Sequence, residues 1–197
     1  IDALCHFSRE GKLHGGVEAA SVQSYSEGLK HASVDTIAPI FRRGVLLDVA
    51  GQQGVEALAV DFTVTPEHLE AAVAAEGVAI ERGDVVLLRT GWARYWNDPG
   101  RYIAEVRGPG PEEAGARWLS ERGVFAAGSD TIAFERVPSR AMPVHVHLLV
   151  ESGIHIIEAL NLEELAAARV YTFLFVAAPL KIRGGTGSPI RPLAVAL

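Results

Sequence analysis

Gly83-Asp84-Val85-Val86-Leu87-Leu88-Arg89-Thr90-Gly91-Trp92 holds the plainest strand in the chain: Val85 to Arg89, four apolar residues and an arginine, bounded by Gly-Asp and Thr-Gly. Upstream, Thr65-Pro66-Glu67 is a helix start, with a capping hydroxyl, a proline in the first turn and an acid facing the dipole. That helix should run to about Glu76 and stop at Gly77. Downstream, Pro111 to Glu121 reads as a second helix closed by Arg122-Gly123, and Val124 to Ala127 as the strand after it. Leu162 to Ala168 reads as an alanine-rich third helix, and Tyr171 to Leu180 as a long apolar strand. Strand and helix alternate without an internal repeat, which is an α/β pattern.

Composition narrows the class. A chain of 197 residues with 49% hydrophobic content suits one compact domain over residues 1–197. A net charge of -6 with a pI near 5.6 argues against a nucleic-acid surface, and Phe41-Arg42-Arg43 is too short a basic run to override it. A single cysteine excludes an intrachain disulfide framework and fits a cytoplasmic protein. No apolar run reaches the length of a membrane span.

Two segments carry candidate chemistry. In Ile1-Asp2-Ala3-Leu4-Cys5-His6-Phe7, Asp2 and His6 stand four apart, a spacing that brings both side chains to one side of the backbone in a strand or a helical turn. A carboxylate beside an imidazole suits zinc or manganese. In the second segment, Pro143 reads as a first helical residue and Gly153 as the residue past the end. His145 and His147 on such a helix are rotated by about 200°, so only one of them can reach a given ion. Ile154 to Leu160 reads as a buried strand with Glu158 inside it, and an unpaired buried carboxylate needs a cation or a metal-bound water as partner. A salt bridge to an arginine would serve as well.

With these residues in view, the chain resembles the metal-dependent cyclase family of kynurenine formamidase-like and isatin hydrolase-like enzymes. The family motif reads His-x-Gly-Thr-His-x-Asp-x-x-x-His, and Asp2 and His6 match its last Asp-x-x-x-His. The block from Gly83 to Trp92, Gly128-Ser129-Asp130-Thr131, Pro143-Val144-His145 with Gly153-Ile154-His155-Ile156-Ile157-Glu158, and Gly187-Ser188-Pro189-Ile190-Arg191-Pro192 are similar to further family blocks, in the same order.

The resemblance implies a mixed β-sheet core of the swivelling β/β/α type with helices packed outside. It implies metal ligands at Asp2, His145 and Glu158, with His147 the competitor for the second position. It also implies a catalytic pair of His6 as acid/base and Glu158 holding a second metal or orienting water. The two upstream ligand histidines fall before Ile1, so the chain is expected to lack an N-terminal segment; a protein that has lost its metal centre is the alternative. The implied reaction is hydrolysis of a linear or cyclic amide in a small molecule, with a divalent metal, zinc or manganese, as cofactor and a homodimer or larger homo-oligomer as the assembly.

Trp92, Tyr95 and Trp96 form an aromatic cluster that would wall an aromatic substrate or pack a core or interface. Asp130 reads as a turn and capping residue. Arg183 to Ser188 is glycine-rich but lacks the Lys-Ser/Thr pair and following helix of a phosphate loop. Two other classes stay open: a metal-free hydrolase with Cys5 as nucleophile, its poor geometry with adjacent His6 noted, and a non-catalytic binding or assembly module that kept the fold.

Overall fold

The computed structural model describes residues 1–103 and 107–196. Six strands make one mixed sheet: β1 (Ile40–Asp48), β2 (Val85–Arg89), β3 (Ala126–Ser129), β4 (His155–Ile157), β5 (Thr172–Ala177) and β6 (Leu193–Ala196), in the order β6-β5-β1-β2-β3-β4. β1 to β4 run parallel, while β5 is antiparallel to both β1 and β6. The fold is therefore a mixed α/β architecture. Among the described residues no helix is long and apolar enough to cross a membrane.

Val85 to Arg89 is buried throughout because both sheet faces are covered, which removes any alternation of polar residues. Val86 and Leu88 join Val45, Leu47, Ala127 and Ile156 in one core. Val85 and Leu87 join Leu46, Ala126, Ile157, Phe173 and Phe175 in the other. Three helices cover the first face: α1 (Pro66–Glu76), α2 (Glu113–Glu121) and α3 (Pro143–His145), which continues as a π-helix over Val146–Ser152. α4 (Glu163–Ala167) lies on the second. At Gly44 a Cβ would stand 2.2 Å from the Phe173 ring, so the missing side chain is what lets β5 lay Phe173 across β1.

α1 has the predicted limits. The Thr65 N–H donates to His68 Nδ1 at 3.1 Å, Pro66 opens the helix, and Gly77 closes it in the left-handed region at φ 64°. Other boundaries shift. The second helix begins at Glu113 because Gly110 and Pro111 pair with Thr63 and Val64 in a short parallel ribbon. The strand expected at Val124–Ala127 is Ala126–Ser129, and the last long strand stops at Ala177, ahead of Pro179. The segment after Pro143 is a wider π-helix rather than a plain α-helix, still capped by Gly153 at φ 68°. Glu158 is not inside a strand: β4 ends at Ile157, and Glu158 is half-buried just past it.

α1 also carries an ionisable group that burdens the fold. Glu76 Oε1 accepts from the Asp48 N–H at 2.6 Å, but Oε2 is buried without a hydrogen-bond partner among the described residues. Burial, with the Asp48 charge adding to it, pushes the carboxyl up to about 7 even though the Asp48 N–H opposes. A raised carboxylate pKa means the folded state holds the proton more tightly than the unfolded chain. Glu76 therefore takes stability away as pH rises from its ordinary value through about 7. Glu76→Gln keeps the acceptor and removes the charge. It should stabilise the protein by about 1 kcal/mol at pH 8, after allowance for screening at a half-exposed group, and by nothing near pH 4. Urea melts at the two pH values test this, and equal gains at both would exclude it.

Candidate metal centre

Three elements bring one acid or imidazole each to the C-terminal end of the parallel strands, where open α/β sheets place their sites. Asp2 is laid against the edge of β4 by its N–H donating to Ile156 O at 2.8 Å, while the neighbouring Ala3 N–H donates to Thr186 O at 3.0 Å. The His6 N–H donates back to Ala3 O at 2.8 Å, a tight turn that returns the His6 ring to the side of Asp2. His6 Nδ1 stands 4.0 Å from Asp2 Oδ1 and 3.3 Å from Thr186 Oγ1, with the ring well exposed. Glu158 leaves β4 toward the same point, and its Oε1 accepts from the Phe134 N–H at 2.8 Å. His145 arrives from α3, its Nε2 3.3 Å from Glu158 Oε1.

Asp2, His145 and Glu158 each present one ligand atom, all within 4.8 Å of one another. The Asp2 Oδ2 atom is buried and has no hydrogen-bond partner among the described residues. Burial pushes the Asp2 carboxyl up, repulsion from Glu158 adds to this, and His6 opposes it. Two carboxylates and an imidazole around an orphaned buried oxygen form a nitrogen and oxygen donor set that fits a divalent cation such as zinc or manganese.

On its far side His145 is held by Glu135, which is almost fully buried. Glu135 Oε2 lies 2.7 Å from His145 Nδ1 and accepts from the His145 N–H at 3.1 Å. Burial alone would lower the His145 pKa, but the hydrogen bonds to Glu135 and Glu158 outweigh it and push the ring up to about 9. Phe7 packs on the imidazole with ring centroids 5.6 Å apart.

The remaining candidates take other places. His147 faces away from the cluster, with Nδ1 2.8 Å from Glu151 Oε2 and Nε2 2.8 Å from Ser120 Oγ, so both its nitrogens are occupied elsewhere. The opposed directions of the two histidines survive the π-helical turn. Cys5 is buried among Ala3, Leu13 and Val34, and burial pushes its thiol up to about 11, which leaves it protonated and unreactive at neutral pH. Trp92 is buried and meets Tyr95 edge-on at 5.3 Å, while Trp96 is 62% exposed and meets Tyr102 edge-on at 5.3 Å. Neither tryptophan is among the three grouped donors. Asp130 caps the turn of Trp92–Tyr95.

Glu135 and the Phe134 N–H went unseen in the sequence. The single available signal was an acid inside Ala133-Phe134-Glu135, beside residues that read as core. Thr186, the partner of His6, lies in the glycine-rich stretch from Arg183 to Ser188.

Comparison with known proteins shows which family the chain belongs to. The family model described as "Putative cyclase" matches residues 1–136. The isatin hydrolase of Roseibium aggregatum is 32% identical over 143 residues, covering 68% of this chain and 53% of the relative. A crystal structure of a novel cyclase superposes with a TM-score of 0.90 at 33% identity, covering 98% of this chain and 66% of that one. Isatin hydrolase A from Ralstonia solanacearum superposes with a TM-score of 0.73 at 28% identity, covering 98% and 69%. The chain thus spans about half the length of the curated relative. A family model that covers most of the chain, together with a relative of this identity and coverage, establishes that the chain belongs to the cyclase family.

Proposed function

We propose that this chain forms the site of a metal-dependent hydrolase acting on a linear or cyclic amide in a small molecule, on a sheet of the swivelling β/β/α type. The observation that carries the reading is the unpartnered, buried Asp2 Oδ2 beside His145 Nε2 and Glu158. Asp2, His145 and Glu158 are the residues that would hold the ion. When bound, a divalent ion polarises a carbonyl and makes hydroxide available near neutral pH.

The rest of the chemistry belongs to side chains. With Thr186 Oγ1 accepting from His6 Nδ1–H, the Nε2 lone pair is left to take a proton from water and return it to the leaving amine. Glu158 has Oε1 fixed by the Phe134 N–H, so its other oxygen can orient the attacking water or take part in binding. Trp92 and Trp96, on the loop after β2, are the aromatic wall of this reading. The name of the curated relative, an isatin hydrolase, supports hydrolysis as the reaction type.

The test is removal and return of the ion. After dialysis against a chelator, hydrolysis of N-formylaniline and of a small aryl lactam should stop, and zinc or manganese should restore it to at least one of the two. Turnover unaffected by the chelator would sink the metal reading. Bound metal without turnover of either amide would sink the amide reading.

A further inference from the structure

Both the imidazole and the second carboxylate of the site are held by one dipeptide, Phe134-Glu135. The Phe134 N–H fixes Glu158 Oε1, and the Glu135 carboxylate takes both the ring Nδ1 and the backbone N–H of His145. The dipeptide is itself clamped. The Phe134 side chain is fully buried in the core that contains Val144 and Leu148, on the same helix that carries His145. Behind it, a Cβ on Gly110 would stand 2.5 Å from Phe134 O and 2.7 Å from the Glu135 carbonyl carbon, so the glycine lets the next segment press directly on this peptide. The Arg136 N–H then donates to Pro111 O at 3.0 Å and ties the exit.

Such burial would be a poor choice for stability alone. A buried carboxylate beside an imidazole is commonly matched or bettered by well-packed apolar residues of similar volume. What the pair supplies is orientation. With Nδ1–H donating to Glu135, the neutral imidazole has its lone pair on Nε2, the atom that stands 3.3 Å from Glu158 Oε1. An outer carboxylate in this relation sets the tautomer and ring angle of a metal-binding histidine and raises its basicity.

We propose that Glu135 is a positioning residue that presents His145 Nε2 to the ion, and that it does so as one half of a Phe134-Glu135 bracket orienting two ligands together. This rests on the metal-dependent reading given above.

The experiment is metal titration of the 197-residue chain and two variants, Glu135→Ala and Glu135→Gln, by calorimetry with Zn²⁺ and Mn²⁺. It is paired with long-range ¹H–¹⁵N spectra of the histidine rings in the zinc form. Glu135→Ala should weaken the ion by about 10–100-fold, the range for loss of an outer partner. Glu135→Gln, whose side-chain oxygen still accepts from Nδ1–H, should recover part of that loss and keeps the test alive if the alanine variant does not fold. The wild-type zinc spectrum should show the His145 Nδ1 proton as a downfield signal held against exchange by Glu135, and the alanine variant should lose that signal to exchange with water, a change that a merely structural role would not produce. Wild-type affinity and an unchanged His145 pattern in both variants would overturn the role of Glu135 while leaving the metal site standing. Absence of uptake by the wild-type chain would overturn the reading that Asp2, His145 and Glu158 suffice to hold the ion, and this proposal with it.

Discussion

His6→Ala should lower kcat for amide hydrolysis by about 10²–10⁴-fold while the protein binds the same amount of metal, the range expected for loss of a positioned acid/base group. The two effects separate because His6 stands beside the cluster and is not one of its three grouped donors. Its ring is 4.0 Å from Asp2 Oδ1, close enough to serve a water at the site, and exposed enough to exchange protons with solvent. Its side-chain hydrogen bond is the exposed one to Thr186 Oγ1 at 3.3 Å, so truncation leaves a group that water can reach and stability should change little. KM should change little, since a proton carrier contributes to the reaction step more than to ground-state binding. Because the gap faces solvent, added imidazole should restore part of the rate. Near-normal turnover at unchanged metal content would remove His6 from the mechanism, and a parallel loss of metal would make it a ligand.

The features that the sequence made legible are those set by neighbours along the chain. α1 could be bounded at both ends because Thr65, Pro66 and Gly77 act on their own backbone. Val85–Arg89 could be placed because a run of apolar residues between turn signals needs no partner to be recognised. That only one of His145 and His147 can reach a given ion followed from rotation around a helix axis, and the extra width of the π-turn did not reverse it; that His145 is the one came from the family resemblance, and His145 is the one grouped with Asp2 and Glu158. Features set by tertiary contact were not legible. The end of β4 before Glu158 depends on where its pairing with β3 stops, at Gly128 and Ile157. The register of Pro111 depends on Thr63 and Val64, far upstream. Glu135 gains its role only because the chain folds back to bring His145 within 2.7 Å of it, and no spacing rule signals that.

Asp130→Ala should destabilise the protein by about 3 kcal/mol, the largest stability effect expected from a single polar side chain here. Asp130 is fully buried at the end of β3. Its Oδ1 accepts from the Thr90 N–H at 2.9 Å and from Thr90 Oγ1 at 2.6 Å, and its Oδ2 faces the Ala93 N–H at 3.5 Å. Alanine would leave the Thr90 donors unpaired in a site that water does not reach, each at a desolvation penalty of about 1–3 kcal/mol. For a domain of this size, 3 kcal/mol corresponds to a fall in Tm of roughly 6–12 °C. Asp130→Asn should cost much less. Burial pushes the Asp130 carboxyl upward against the opposing Thr90 hydrogen bonds, so the ionised form takes back part of what it contributes, and an amide keeps one acceptor oxygen for Thr90 without that charge. The sign follows from the direction of the shift: a raised folded-state pKa means the burden of ionised Asp130 grows as pH rises, so the aspartate should lose ground to asparagine on going from acid to neutral pH. Thermal melts of the two variants at pH 5 and 8 separate the contributions. A Tm for the alanine variant within about 2 °C of wild type would show that the Thr90 donors find other partners, and the turn that carries Trp92 would then owe its shape to packing alone.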